Sequence, residues 1–129
     1  MSAVLDASVL VDYLRGVRQA KAVVAKFPRA SITVTAWIEV MAAAPVRLEV
    51  QTRDFLRGFE RLAINEAIAD RAVVLMRAHT GLEMRYALPW ATALANSLLY
   101  VTADFPQLAR RERTVVLAYR DSPAVSRAS

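Results

Sequence analysis

Ala3-Val4-Leu5-Asp6-Ala7-Ser8-Val9-Leu10-Val11-Asp12-Tyr13-Leu14-Arg15-Gly16 is the stretch that decides the class of fold. Three apolar residues run straight into a carboxylate. The spacing then becomes helical, with Val9, Leu10, Tyr13 and Leu14 on one face and Gly16 closing it. An apolar run of that kind is a strand buried on both faces. Its carboxylate falls at the C-terminal tip, where open α/β sheets bind ligands. Asp6 has a second reading as the N-cap of the following helix, with Ser8 competing for that role. On this stretch alone both readings stand.

The rest of the chain repeats the alternation. Val17–Lys26 reads as a second short helix, ended by Phe27-Pro28 because a residue before proline leaves the helical region. Ala30–Val34 is a β-branched strand, and Thr33 or Thr35 caps a helix running to Ala44, where Pro45 stops it. Val46–Gly58 reads as one amphipathic helix with Leu48, Phe55 and Leu56 facing inward. Arg61–Ile64 is a brief strand. Asn65 opens the longest helix, with Ile68, Ala72, Leu75, Met76 and His79 at helical spacing and Gly81 as its stop. Pro89 is tolerated in a first turn, so the next helix is expected to begin near Arg85 or Tyr86. Leu98–Thr102 and Thr114–Leu117 are apolar strands, separated by a helical turn or two over Phe105–Arg110.

Strands that alternate with helices, without hairpin signals, require crossover connections. The expected class is α/β, a three-layer α/β/α arrangement around a mainly parallel sheet. Residues 1–120 are expected to form one domain and residues 121–129 a frayed tail. Cysteine is absent, which excludes disulfides and thiolate metal sites and favours a cytoplasmic protein. No apolar run reaches the length of a membrane span, and no basic region precedes an apolar one at the N-terminus. The net charge of +5 is carried almost wholly by arginine, Lys21 and Lys26 being the lysines. That charge permits a nucleic-acid partner without establishing one, and an arginine-rich genome explains it equally well.

Three carboxylates fall where such a fold gathers side chains. Asp6 follows strand one, Glu39 lies on the helix after strand two, and Asp104 comes two residues after Thr102 at the end of strand four. Acids crowded at one rim stay ionised with a cation between them. Oxygen ligands select a hard ion, magnesium or manganese, which can orient water and neutralise charge on a phosphodiester. Each acid also has a plain reading: Glu39 as a solvated helix residue, Asp104 as a cap for the helix at Phe105. His79 falls on an apolar stripe and reads as a partly buried, satisfied histidine. Trp37 and Trp90 read as core or contact residues.

The segments VLDASVLVDYLRG, SITVTAWIEVMAA and GLEMRYALPWATALANSLLYVTADF resemble the PIN-domain family, in particular VapC-type toxins of toxin–antitoxin pairs. The resemblance covers Ala3 to Leu117 in order and spacing. It implies a metal-dependent endoribonuclease, dimeric, using Mg2+ or Mn2+ and silenced by a cognate antitoxin. Asp6, Glu39 and Asp104 would be the catalytic acids, with Asp6 and Asp104 on the metal and Ser8 and Thr102 in support. One position departs from the pattern: the family's third acid, four residues before the tryptophan, falls on Tyr86. A neutral phenol there makes the acidic set incomplete, and Glu83 is the nearest carboxylate that could compensate. The alternative function is therefore a catalytically inactive PIN fold that binds RNA or an antitoxin. A receiver domain is disfavoured, since it needs paired acids at the first tip and a late lysine.

Overall fold

The computed structural model describes residues 2–119, so the tail expected over 121–129 lies outside the described residues. The first strand, β1 (Ala3–Leu5), is wholly buried, and its residues divide between two cores. Ala3 and Leu5 face one side of the sheet and Val4 the other, as a pleat of period two requires. A strand so placed must be covered on both faces, and it is.

In chain order β1 is followed by α1 (Ala7–Leu14), α2 (Arg18–Lys26), β2 (Ser31–Thr33) and α3 (Val34–Ala43). A single 3-10 turn (Val46–Leu48), α4 (Glu49–Leu56), β3 (Glu60–Leu62), α5 (Glu66–Ala78) and α6 (Met84–Ala95) come next. The described chain closes with β4 (Leu99–Thr102), α7 (Pro106–Arg111) and β5 (Val115–Leu117). The five strands pair in parallel in the order β3-β2-β1-β4-β5. Val9, Leu10, Ala20, Val23, Ala36, Val40 and Leu56 from α1 to α4 pack on one face with Ile32 and Val101. On the other face Ile68, Ala72, Ala87, Trp90 and Ala91 from α5 and α6 pack with Val4, Tyr100 and Val115. This is the three-layer parallel α/β architecture expected from the sequence. Among the described residues no helix is long and apolar enough to cross a membrane.

Local chemistry fixes the helix starts. Thr33 caps α3 by accepting from the Ala36 amide at 3.1 Å, and Asn65 caps α5 by accepting from Ile68 at 2.9 Å. Gly81, at φ +84°, makes the turn between α5 and α6 in a conformation that suits glycine.

Three expectations need correction. Val46–Gly58 is a 3-10 turn followed by a helix, and Leu48 is exposed; the Thr52 hydroxyl bonds back to the Leu48 carbonyl at 2.8 Å across that junction. Met76 is exposed, while Ile68 and Ala72 alone carry the fully buried stripe of α5. The helix containing Pro89 begins at Met84, so the proline is its sixth residue rather than a first-turn residue. Proline donates no bond to the carbonyl four residues back, that of Arg85. Burial of Ala87, Pro89, Trp90, Ala91 and Ala93 along that helix offsets the loss.

Candidate active site

The strand order reverses between β1 and β4, so the loops leaving these neighbours diverge and open a crevice at their C-terminal ends. Asp6 stands at the end of β1. Its backbone is extended (φ −69°, ψ 151°), and its side chain accepts from the Ser8 amide at 3.2 Å, which caps α1. The same Oδ2 accepts from the Ser8 hydroxyl at 2.5 Å and from the Thr102 hydroxyl at 3.1 Å. Oδ1 accepts from the Tyr100 hydroxyl at 2.6 Å. Asp6 is thus both a helix cap and the centre of a hydroxyl cage reaching across to β4. The residue is 4% exposed.

The cage continues into the loop after β4. The Ser8 hydroxyl accepts from the Ala103 amide at 3.0 Å, and Thr102 Oγ1 accepts from the Asp104 amide at 3.1 Å. These bonds set the direction of the loop and aim Asp104 at the crevice. Phe105 follows in the left-handed region (φ 61°, ψ 55°), turning the chain into α7. No side chain caps α7, so Asp104 does not serve the cap role considered for it. Its Oδ2 accepts instead from the Tyr86 hydroxyl at 3.1 Å.

Glu39 reaches the crevice from α3. Between it and Asp104 lies Arg85, whose Nε is 3.8 Å from Glu39 Oε2 and whose Nη2 is 4.0 Å from Asp104 Oδ2. The guanidinium also sits over the Tyr86 ring, 4.9 Å from its centroid, and that ring meets Phe105 edge-on at 5.6 Å. Ser8, Asp12, Arg15, Glu39, Arg85 and Asp104 line the open cleft. Asp12 is itself buried and accepts from the Tyr119 hydroxyl.

Charge is under tension here. Burial pushes the Asp6 carboxyl above its usual range, against the bonds from Ser8 and Tyr100, and Asp104 pushes it further. Burial also raises Glu39, with Arg85 opposing and Asp6 and Asp104 reinforcing. Burial followed by the Asp104 charge holds the Tyr86 phenol neutral, far above its usual range. Burial works against the charge of Arg85, but Tyr86 and the three acids outweigh it, so the guanidinium stays charged. The acids sense one another, as groups that share a cation do. Among the described residues, however, no three His, Cys, Asp or Glu side chains form a group able to hold one ion.

The Tyr100 bond has a measurable weight. Tyr100→Phe keeps the buried ring but strips the donor from Asp6 Oδ1, leaving a carboxylate oxygen unpaired inside the protein. Stability is expected to fall by about 1–3 kcal/mol, read as a lower urea midpoint at unchanged slope.

A chain in a toxin–antitoxin complex from Klebsiella pneumoniae is 31% identical, with a TM-score of 0.85, over 92% of this chain and 98% of that one. A chain of VapBC2 from Rickettsia felis, solved bound to a promoter DNA fragment, shares the fold at a TM-score of 0.65 and 14% identity. That match covers 90% of this chain and 96% of the other. A chain of VapBC-5 from Mycobacterium tuberculosis does so at 0.60 and 21%, over 88% and 94%. The chain belongs to the VapC-type PIN-domain family. Neither a protein-family model nor a curated relative matches the sequence.

Within this VapC-type fold, Glu39 and Asp104 line one cleft from α3 and the loop after β4, and Asp6 at the end of β1 lies buried next to it, bonded to the cleft-lining Ser8 and to Thr102. Tyr86 stands beside them with its hydroxyl on Asp104. Glu83 is exposed, and its side chain neither lines the cleft nor caps α6. His79 lies within 3.4 Å of Glu112 and against the Trp90 ring, and Trp90 bonds to Thr114, so both are structural.

Tyr100 and Arg85 were not anticipated from sequence. Tyr100 was within reach, because it sits two residues before Thr102 and hence on the same face of β4. Arg85 offered a weaker signal, a cation beside the position where an acid is missing.

Proposed function

We propose that this chain is the toxin component of a toxin–antitoxin pair and that it hydrolyses RNA phosphodiesters at the Asp6–Glu39–Asp104 cleft. The observation that carries this reading is that Glu39 and Asp104 line one cleft where the sheet order reverses, with the buried Asp6 close enough for its charge to act on Glu39 and for Asp104 to act on it. The donors are all oxygens. The Thr102 hydroxyl donates to the Asp6 carboxylate and accepts from the Asp104 backbone amide. A pair of acids so placed suits magnesium or manganese, which take one or two protein carboxylates and fill the shell with water and phosphate. Asp6 and Asp104 would hold such an ion, which when bound supplies charge stabilisation at the phosphodiester.

The chain's own residues do the rest. Ser8, Thr102 and Tyr100 fix the orientation of Asp6. Glu39, whose affinity for a proton is raised by burial, is placed to accept one from an attacking water. Arg15 lines the cleft with a fork suited to a phosphate. An apolar groove beside the cleft, with Ile38, Met84 and Leu88 along it, offers a bed for an antitoxin segment or a second copy. Purified protein with Mn2+ is expected to cleave single-stranded RNA, to stop on chelation, and to lose about a hundredfold or more in rate in Asp104→Asn.

Tyr86 favours a second reading, a module that binds RNA or an antitoxin without cutting. In that case the wild-type chain retains RNA on a filter but yields no fragments at any Mn2+ concentration.

A further inference from the structure

We propose that Arg85 is a resident counter-cation of the acidic cleft, competing with a divalent ion for Glu39 and Asp104. This rests on the reading of the cleft as an ion-dependent centre. The Arg85 guanidinium stands between carboxylates from two different elements. Its Nε approaches Glu39 of α3 at 3.8 Å, and Nη2 approaches Asp104 of the β4–α7 loop at 4.0 Å. The guanidinium also lies over the Tyr86 ring, 4.9 Å from its centroid. The same Tyr86 hydroxyl holds Asp104 Oδ2, the oxygen to which Arg85 turns. Adjacent residues of α6 thus act together: Tyr86 contributes no charge where the family pattern has an acid, and Arg85 brings a positive charge to the acids that remain.

The contacts are long and the Arg85 side chain is 49% exposed. It is therefore a displaceable occupant rather than a locked one, since pairs of this kind are weakly held. Repulsion between the guanidinium and an incoming divalent cation must be overcome, or the side chain must swing into solvent. Either way the ion binds more weakly than the carboxylates alone would allow.

The test is calorimetric titration of the full chain with Mn2+ alone, in buffer without RNA, for wild type, Arg85→Gln and Arg57→Gln. Arg57 is an exposed residue paired with Asp54, so its variant makes the same change in net charge away from the cleft. Arg85→Gln is expected to bind Mn2+ about tenfold more tightly than wild type, with Arg57→Gln unchanged. Equal affinity in wild type and Arg85→Gln overturns the inference and leaves the ion-dependent reading intact. An equal gain in Arg57→Gln also overturns it, because the effect is then one of overall charge. Absence of Mn2+ binding in all three proteins defeats both the inference and the reading beneath it. Arg85 is half-exposed at the start of its helix, so a folding defect does not stand in the way.

Discussion

Asp6→Asn is expected to unfold at a higher temperature than the wild-type chain at neutral pH and, on the proposed function, to lose RNA cleavage. The two effects share one cause. Asp6 is almost wholly buried, and burial raises its pKa above the value of an unfolded chain. A carboxyl raised in this way supports folding fully below its unfolded pKa, and that support disappears as pH rises through the folded value. At neutral pH the ionised group is therefore a burden on the fold. Asparagine preserves the shape: its oxygen can cap α1 at Ser8, and its amide can face the Tyr100 oxygen. A rise in Tm of roughly 3 °C or more at pH 7 is expected in the presence of chelator. The gain should shrink toward zero as the pH is lowered below about 4, where the wild-type carboxyl is protonated in both states. Thermal melts across that range check the sign, and an Asn variant less stable than wild type at pH 7 contradicts it. Loss of cleavage is checked in the same preparations.

Tyr86→Asp is expected to lose stability without a divalent ion, to recover part of it with Mn2+, and to cleave RNA faster than wild type. Tyr86 is 8% exposed and packs edge-on against Phe105, so removing its ring opens a hole in the second core. Losses of about 3–5 kcal/mol accompany truncation of large buried aromatics. The new carboxylate also stands beside Asp104, where its charge is repelled. A divalent ion removes that repulsion by binding between them, so Mn2+ should raise the Tm of this variant more than that of wild type. The ring that supports Arg85 is lost as well, which frees the guanidinium to leave the cleft. A rate increase of about tenfold or more at saturating Mn2+ is expected, measured on one RNA substrate for both proteins. Faster cleavage without any Mn2+-dependent stabilisation would falsify the link between this position and ion binding.

The layers of the fold were legible because β1, β4 and β5 are short apolar runs bounded by turn or cap residues, and α3 and α5 carry their own start signals. Asn65 and Thr33 cap where their types and spacing indicate. Legibility failed where long-range packing outweighs local preference. Pro89 sits in the body of α6 because the helix is buried on the sheet, a gain no local pattern records. The first turn of the helix expected over 46–58 tightens to 3-10, and Leu48 turns outward with it. At the site, Asp6 and its partners Ser8 and Thr102 were readable because their spacing from strand ends is local information. The Tyr100 hydroxyl and the Arg85 guanidinium were not, since each meets its acid through a contact between elements far apart in sequence. Asp6 caps α1 and at the same time accepts from the Tyr100 hydroxyl of β4, so the cap reading holds for a carboxylate that also ties two strands together at the rim.

The placing of β1 next to β4 has a bearing on when the cleft can exist at all. Asp6 is synthesised long before the hydroxyls of Tyr100 and Thr102 that hold it, which come 94 and 96 residues later. Contacts of such long range form slowly, after the chain between them has been ordered. A nascent chain that ends before β4 can build the α1–α4 side of the sheet and still lack half of the cleft. Its acids are assembled only when nearly the whole domain has emerged and folded, so no partial product of synthesis carries the finished site.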